Sequence, residues 1–369
     1  MRLSNNARIF SRLSLAVIAA SVILHGSDSK EGFDLFLDHM RIFESAGGEG
    51  IQSLSISGRY LGQVYFIDSD EGEADDYESR HSRLGLKARF SDAWSGSVKF
   101  NTARINSNDP EFFRSWDDVF VDFKPSAALS FRIGRQRPVM FHEYRLSLPK
   151  VQTAERSQLV NQIRGDKTWG VSVKSDRGDF GYKMGLFASS DEGTRNAWFD
   201  SDGGGFMTMG INHSRDLFGF KGRLYLDYAY TDQIGDNSPS KRHLASVNWS
   251  GTEGQNSLAW DFVMGSGYGE DVFGFVVIPS RRMGEQGEIV GRFQISSGRN
   301  GGLTIQRRYE QLASVGLSGD EYWGMYLGYN YILHGNNLKL INGLEYAEAS
   351  GGNSAYAGIT AISGIRLDF

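Results

Sequence analysis

Beyond residue 50 the chain alternates apolar and polar side chains. In residues 82–90, Leu84, Leu86, Ala88 and Phe90 fall on one face, and Arg83, Gly85, Lys87 and Arg89 on the other. A β-strand sends successive side chains to opposite sides, so this period of two predicts a strand with one apolar and one basic face. The pattern recurs as Val98 and Phe100 against Ser97, Lys99 and Asn101, and as Val119, Val121 and Phe123 against Asp118, Asp122 and Lys124. It returns as Leu129, Phe131 and Ile133 against Ser130, Arg132 and Gly134, and late in the chain as Trp323, Met325, Leu327, Tyr329 and Tyr331 against Gly324, Gly328 and Asn330. About sixteen such segments occur, with starts near residues 52, 79, 94, 112, 128, 166, 179, 205, 220, 241, 256, 270, 286, 321, 337 and 357, each boundary good to about 2–4 residues.

Short and long connections alternate between them. "SDAW", "KPSAA", "SDRGD", "SRDLFG" and "LHGNN" read as tight turns, whereas "DSDEGEADDYE", "INSNDPEFFRS", "SSDEGTRNAWFDSDGGG", "DQIGDNSPSK" and "EASGGNSA" read as longer polar links. Turns at one end and loops at the other are the arrangement of an up-and-down barrel in an outer membrane. The predicted fold is therefore all-β, a 16-stranded antiparallel transmembrane β-barrel. In hydrocarbon every amide needs a partner, so the last strand, "AGITAISGIRLDF", is expected to close against the first, "SLSISGRYLGQVYF". Phe369 is then expected in the periplasmic aromatic girdle, and the alternating segment before it resembles the signal read by the outer-membrane assembly machinery. A secreted β-sandwich or solenoid is the bland alternative; large apolar side chains on so many outer faces argue against it.

Other features narrow the setting. Arg2, Arg8 and Arg12 precede the apolar "LSLAVIAASVILHG", the layout of a secretory signal with cleavage expected near Gly26 or Ser27. A retained amphipathic anchor is the alternative, because "FDLFLDHMRIF" continues a helical pattern. The expected organisation is a signal peptide over 1–26, a periplasmic N-terminal segment over 27–50 and a barrel over 51–369. Phe33, Phe36, Leu37, Met40 and Phe43 lie at helical spacing in the middle part, which reads as a short helix packed under the barrel. Cysteine is absent, so disulfides and Cys-ligated metals are excluded. The 24 Phe, 16 Tyr, 7 Trp and 46 Gly beside only 6 Pro suit many strands with glycine-rich turns. Without the three leading arginines the formal charge of −5 becomes −8, which argues against nucleic acid as a partner.

One link stands apart. Residues 138–165, "PVMFHEYRLSLPKVQTAERSQLVNQIRG", carry Arg145, Lys150, Arg156 and Arg164 against Glu143 and Glu155. Links of this length in compact folds are usually functional; a solvated surface loop is the alternative. The residues leading into it, "FRIGRQRPVMF" and then "TAERSQLVNQ", resemble the phosphate-selective porin family of the O and P type. The matching positions are Gly134, Arg135, Gln136, Pro138, Phe141, Glu155 and Arg156. "ISGRYLGQVYFID" is similar to the family's first strand and "IRLDF" to its last, so the resemblance touches residues 50 to 369 at short stretches. "VMFHEYRLS" departs from the family in lacking a glycine just after the Phe. The resemblance implies a homotrimer, an inward-folded third link, and passage of small anions such as phosphate or polyphosphate without a cofactor.

Charge placement bears on the solute. With the apolar faces toward lipid, the early strands put Arg59, Arg83, Lys87, Arg89, Lys99, Arg132 and Lys174 on a basic lumen wall. Later strands offer Arg223, Asp227, Asp261, Glu288, Arg292, Glu345 and Asp368, a mixed to acidic wall. Planar guanidinium groups bind oxyanions in a bidentate manner, and rings of Arg and Lys favour anions. The candidate constriction is Arg132, Arg145, Lys150, Arg156 and Arg164, with the link's cations facing the basic wall. An ion-paired structural role is the alternative for each charge. A general diffusion porin, with opposed basic and acidic walls, and a plugged structural barrel are the alternative functions.

Catalysis and metal binding find no support. The seven His are scattered, and neither H-E-x-x-H nor G-x-S-x-G occurs. "DSDEGEADDYE" lacks EF-hand spacing and reads as an acidic surface loop that meets lipopolysaccharide through divalent ions. No enzyme activity, metal or cofactor is expected.

Overall fold

The computed structural model describes residues 27–45, 50–102, 112–190, 204–300, 302–305, 318–352 and 355–369. The expected signal peptide, 1–26, lies outside them. Sixteen antiparallel strands follow one another around a closed barrel. They are β1 (Ser53–Ser69), β2 (Gly72–Arg89), β3 (Trp94–Thr102), β4 (Phe113–Ser126), β5 (Leu129–Gln136), β6 (Thr168–Arg177), β7 (Phe180–Ala188) and β8 (Gly205–Ser214). The circuit continues through β9 (Lys221–Thr231), β10 (His243–Glu253), β11 (Asn256–Ser266), β12 (Val272–Met283), β13 (Gly287–Gly298), β14 (Glu321–His334), β15 (Leu338–Ser350) and β16 (Tyr356–Asp368).

The seam forms as the alternation demands. β16 runs antiparallel to β1 from Gly358 opposite Ser69 to Asp368 opposite Arg59. Phe369 N donates to Gly58 O at 3.0 Å, and Gly58 N returns a bond to Phe369 O at 2.8 Å. β1 starts below the end of β16, and a short strand, Arg41–Glu44, pairs with Ser53–Ser55 in the space left. It follows a helix, α1 (Ser27–His39), that lies at this corner. There Phe36 meets Phe369 edge-on at 5.3 Å and Asp34 Oδ1 lies 2.6 Å from His334 Nε2.

The period of two sorts the wall into an outer and an inner face. Leu86, Val98, Phe131, Ile133, Met184, Leu186, Phe273, Met325, Leu344 and Ile359 are exposed on the outside, and Leu327 is 63% exposed. So continuous an apolar surface is stable against lipid rather than water. Inside, polar side chains and the inward link fill much of the bore.

The turn end follows the expected scheme; at the other end two expected links, "INSNDPEFFRS" and "SSDEGTRNAWFDSDGGG", lie largely outside the described residues, and "EASGGNSA" is shorter than expected, since β15 runs to Ser350 and β16 starts at Tyr356. Tight turns join β2–β3, β4–β5, β6–β7, β8–β9, β10–β11, β12–β13 and β14–β15 at one end. At the other end "DSDEGEADDYE" is not a loop: β1 runs to Ser69 and β2 starts at Gly72, so only Asp70 and Glu71 turn. Glu73, Asp75 and Glu78 pair across this hairpin as ordinary strand residues. Extended backbone is open to solvated carboxylates when a neighbouring strand supplies the ladder, and composition alone misreads such a segment.

Candidate pore constriction

Between β5 and β6 the chain leaves the wall. Pro138 has no N–H for the ladder, which favours an end to the strand there. The link then folds as α2 (His142–Arg145), a 3₁₀ turn (Leu148–Lys150, with Pro149 inside its first turn) and α3 (Gln158–Ile163). It crosses the lumen and lies against β9–β16. Phe141, Leu159, Val160 and Ile163 are buried, in one cluster with Leu244, Val263, Val272 and Val276 of the barrel wall.

Polar groups of the wall hold the link's main chain. Asp227 accepts from Phe141 N at 3.3 Å and Asp261 from His142 N at 2.8 Å. Gln294 accepts from Gln158 N at 2.8 Å, and Asn330 donates to Gln152 O at 2.8 Å. Lys339 donates to Val151 O at 3.1 Å. Arg366 of β16 donates to Leu148 O at 3.1 Å, Thr153 O at 2.7 Å and Ala154 O at 2.8 Å. Such bonds contribute about 1 kcal/mol each, more where a charge takes part. Arg292, fully buried, sits between Glu143 at 3.4 Å and Glu345 at 3.5 Å, so one wall residue fixes link and barrel together.

With the link pressed to that side, the open lumen lies on the other. A cavity of about 590 Å³ separates it from β1–β6. Arg59, Arg80, Arg83 and Arg135 reach it from the strands, Arg366 from β16, and Arg137, Arg156, Arg164 and Lys167 from the link. Asp117, Glu155 and Asp166 are the acidic groups among its lining residues. Arg83 lies 3.3 Å from Asp117, and Arg80 lies 2.8 Å from Glu155. Lys167 bridges Asp117 at 2.7 Å and Asp118 at 2.8 Å; burial pulls its ammonium down to about 8, against the two carboxylates that hold it up. Tyr144 gathers three guanidinium groups around its ring, Arg137 and Arg156 at 5.3 Å and Arg164 at 4.7 Å. Arg137 also donates to the carbonyls of Tyr144 and Leu146, and Arg156 to those of Glu143 and Leu146, at 2.8–3.1 Å. A carbonyl orients a guanidinium and leaves its formal charge in place.

Two bulges aim this wall. Leu61 pairs with His81 and Gly62 with Ser79, so Arg80 is an extra residue on β2. Simple alternation assigns it to the lipid face with Leu84; the bulge turns it inward. On β4 a second irregularity lets Val98 pair with Val119 but Phe100 with Trp116, and both Asp117 and Asp118 then reach Lys167. Gly134, at φ +126°, departs from ordinary strand geometry while β5 keeps its register there, and a Cβ would lie 2.2 Å from Val119 O. Arg135, next in line, donates to Trp116 O at 3.1 Å and lines the lumen.

The expected constriction is thus brought together only in part. Arg156 and Arg164 line the cavity, as do Arg59 and Arg83 of the expected basic wall. Arg145 does not face that wall: it pairs with Asp227 on β9 at 2.6 Å and stacks on Tyr225 at 4.0 Å, because the link turns this side toward the acidic strands. Lys150 is exposed at the end of the 3₁₀ turn and is not among the lining residues. Arg132 is held by both oxygens of Asp122, at 2.6 and 2.8 Å, over the Phe120 ring, so its charge is matched on its own wall. Lys87, Arg89, Lys99 and Lys174 occupy inner-face positions of β2, β3 and β6 outside the cavity lining, toward the tight-turn end. The acidic late wall does not oppose the basic one across open water, since Asp227, Asp261 and Glu345 are buried under the link. Sequence reasoning missed Arg80, Arg135, Arg137, Lys167 and Arg366. For Arg366 the signal was present, because alternation with Ile365 and Leu367 puts it inside.

Comparison with known proteins agrees with this architecture. Residues 60–203 match the model of the family described as phosphate-selective porin O and P, a stretch that runs from within β1 through β7 and takes in the inward link. No curated protein matches the chain. Among solved structures, Pseudomonas putida OprB at high pH is similar over 86% of this chain and 94% of its own, with a TM-score of 0.57 and 14% identity. An anion-selective porin from Comamonas acidovorans gives 0.56 and 15% over 86% and 99%. The trimer form of OmpT from Vibrio cholerae gives 0.53 and 13% over 87% and 100%. The fold is that of the outer-membrane porins, and the apolar outer belt fits the same membrane.

Proposed function

We propose that this barrel, an outer-membrane porin by fold and family match, passes small hydrophilic anions by passive diffusion and prefers oxyanions such as phosphate. The observation that carries the reading is the excess of cationic over acidic groups around the open lumen, nine against three. An anion entering there exchanges part of its water shell for guanidinium N–H groups, whose planar forks match oxyanion geometry. Asp117, Glu155 and Asp166 compete for the same donors, which keeps the interaction weak enough for release. Conduction needs both entry and exit to be favourable. The barrel acts as a channel rather than an enzyme in this reading. It works as a homotrimer, with Phe369 as the contact for assembly machinery and the long-link end facing lipopolysaccharide.

A general diffusion porin without phosphate preference is the second reading, favoured by the carboxylates set among the arginines. The zero-current potential of single channels in a potassium chloride gradient, repeated with millimolar phosphate, separates the two. Anion selectivity with phosphate block of the chloride current supports the first. A weak or cation-leaning potential without block leaves a general porin.

A further inference from the structure

Charge is only part of what lines the open lumen. α3 is amphipathic: Leu159, Val160 and Ile163 pack into the barrel, whereas Gln158, Asn161 and Gln162 line the cavity at the spacing that shares one helix face. Arg156 and Arg164 flank this run of carboxamides at its two ends and line the same cavity. Asn237, from the β9–β10 connection, joins the lining where its carbonyl accepts from Asp166 N at 2.9 Å.

The amides are held in place. Gln158 Nε2 donates to Gln162 Oε1 at 2.6 Å and to Thr304 O. Gln162 Nε2 donates to Gly302 O at 2.7 Å, and its Oε1 also accepts from Thr304 N at 3.1 Å. Asn161 Nδ2 donates to Arg156 O at 3.3 Å. A carboxamide nitrogen carries two hydrogens, so half-buried Gln162 has one left over after Gly302. Neutral amides add no net charge to attract a small ion. They match hydroxyl groups, which also both donate and accept, and a hydroxyl that sheds water in a narrow lumen is costly unless such a partner meets it.

Size points the same way. At about 590 Å³ the cavity falls within the range of about 300–1,000 Å³ that holds whole small organic molecules. A single tetrahedral ion fills little of that space and, held at the guanidinium groups, leaves the amide face to water.

We propose that the solute class of this lumen is a phosphorylated polyol, such as a sugar phosphate. Its oxyanion lies among the guanidinium groups, and its hydroxyls lie along Asn161, Gln162 and Asn237. The inference rests on the anion-channel reading above and names the kind of anion.

Single channels in potassium chloride are titrated with inositol monophosphate, cyclohexyl phosphate, inorganic phosphate and inositol at one pH and ionic strength. The concentration of each that halves the chloride current is read. Cyclohexyl phosphate has the same ring and charge as inositol monophosphate without the hydroxyls, so it controls for size. Inositol monophosphate is expected to block at a concentration several-fold below either other phosphate, and inositol not to block. In Gln162→Met and, separately, Asn161→Leu, each verified as a conducting channel, its value should move toward that of cyclohexyl phosphate. If inositol monophosphate blocks no better than cyclohexyl phosphate, the proposal is overturned, while block by inorganic phosphate keeps the anion reading. If no phosphate compound blocks, the anion reading fails with it. A preference that survives both variants overturns the assignment of the hydroxyls to α3, and block by inositol alone overturns the part given to the oxyanion.

Discussion

Both walls of the lumen carry charged side chains and put them to different use. On β9–β16, Asp227, Asp261, Arg292, Lys339 and Arg366 bind the inward link, several of them through its main-chain amides and carbonyls. On β1–β6, Arg59, Arg80, Arg83 and Arg135 stay beside open water. In the proposed channel, the wall that governs permeation is the one the link leaves uncovered. A charge on the inner face is an electrostatic feature of the pore only where nothing lies over it.

Removing the latch should have the largest effect. Arg292→Met leaves Glu143 and Glu345 buried without their shared cation, and breaking a buried pair in this way costs about 3–5 kcal/mol. The expected outcome is a lower thermal midpoint and a larger, noisier single-channel conductance as the link comes away; an unchanged conductance would mean that other contacts suffice to hold it.

The next contrast lies within the cations. Arg83→Ala and Arg156→Ala should each move the zero-current potential clearly toward zero in a chloride gradient. Arg132→Ala, whose partner Asp122 sits on the neighbouring strand, should shift it less, and Arg223→Ala, paired with Asp176 at 3.2 Å, scarcely at all. Equal shifts from all four would dissolve the distinction between the walls.

Carboxylates on the open side offer the opposite sign. Glu155→Gln releases Arg80 from a 2.8 Å ion pair and should strengthen phosphate block of the chloride current. The smallest effect is titration. Lys167, held down to about 8 by burial, loses its proton as pH rises through that value, so anion preference should decline modestly between pH 7 and 9. Lys167→Met should flatten that part of the pH profile.

The fold was legible because its signal is local. Alternation in "SRLGLKARF" needs no knowledge of the rest of the chain, and once each strand has an inside and an outside, closure of β16 on β1 follows from the amides. The site was legible only in pieces. Arg156 and Arg164 were found through their link, whereas Arg80 was invisible because a single extra residue reverses its side, and nothing in "YESRHSRLG" marks the bulge. Arg145 was misplaced because its partner, Asp227, lies 82 residues away on a strand that the link reaches only after crossing the barrel.

By itself, then, the sequence determined the wall: a period of two, turns and links in alternation, an apolar outside and a charged inside. Those properties depend on residues one to four positions apart. The tertiary structure alone decided which charges meet water, since ion pairing and burial depend on approach in space between residues as distant as Arg366 and Leu148. Local pattern carries no measure of that distance, and which wall stays beside open water is set by it.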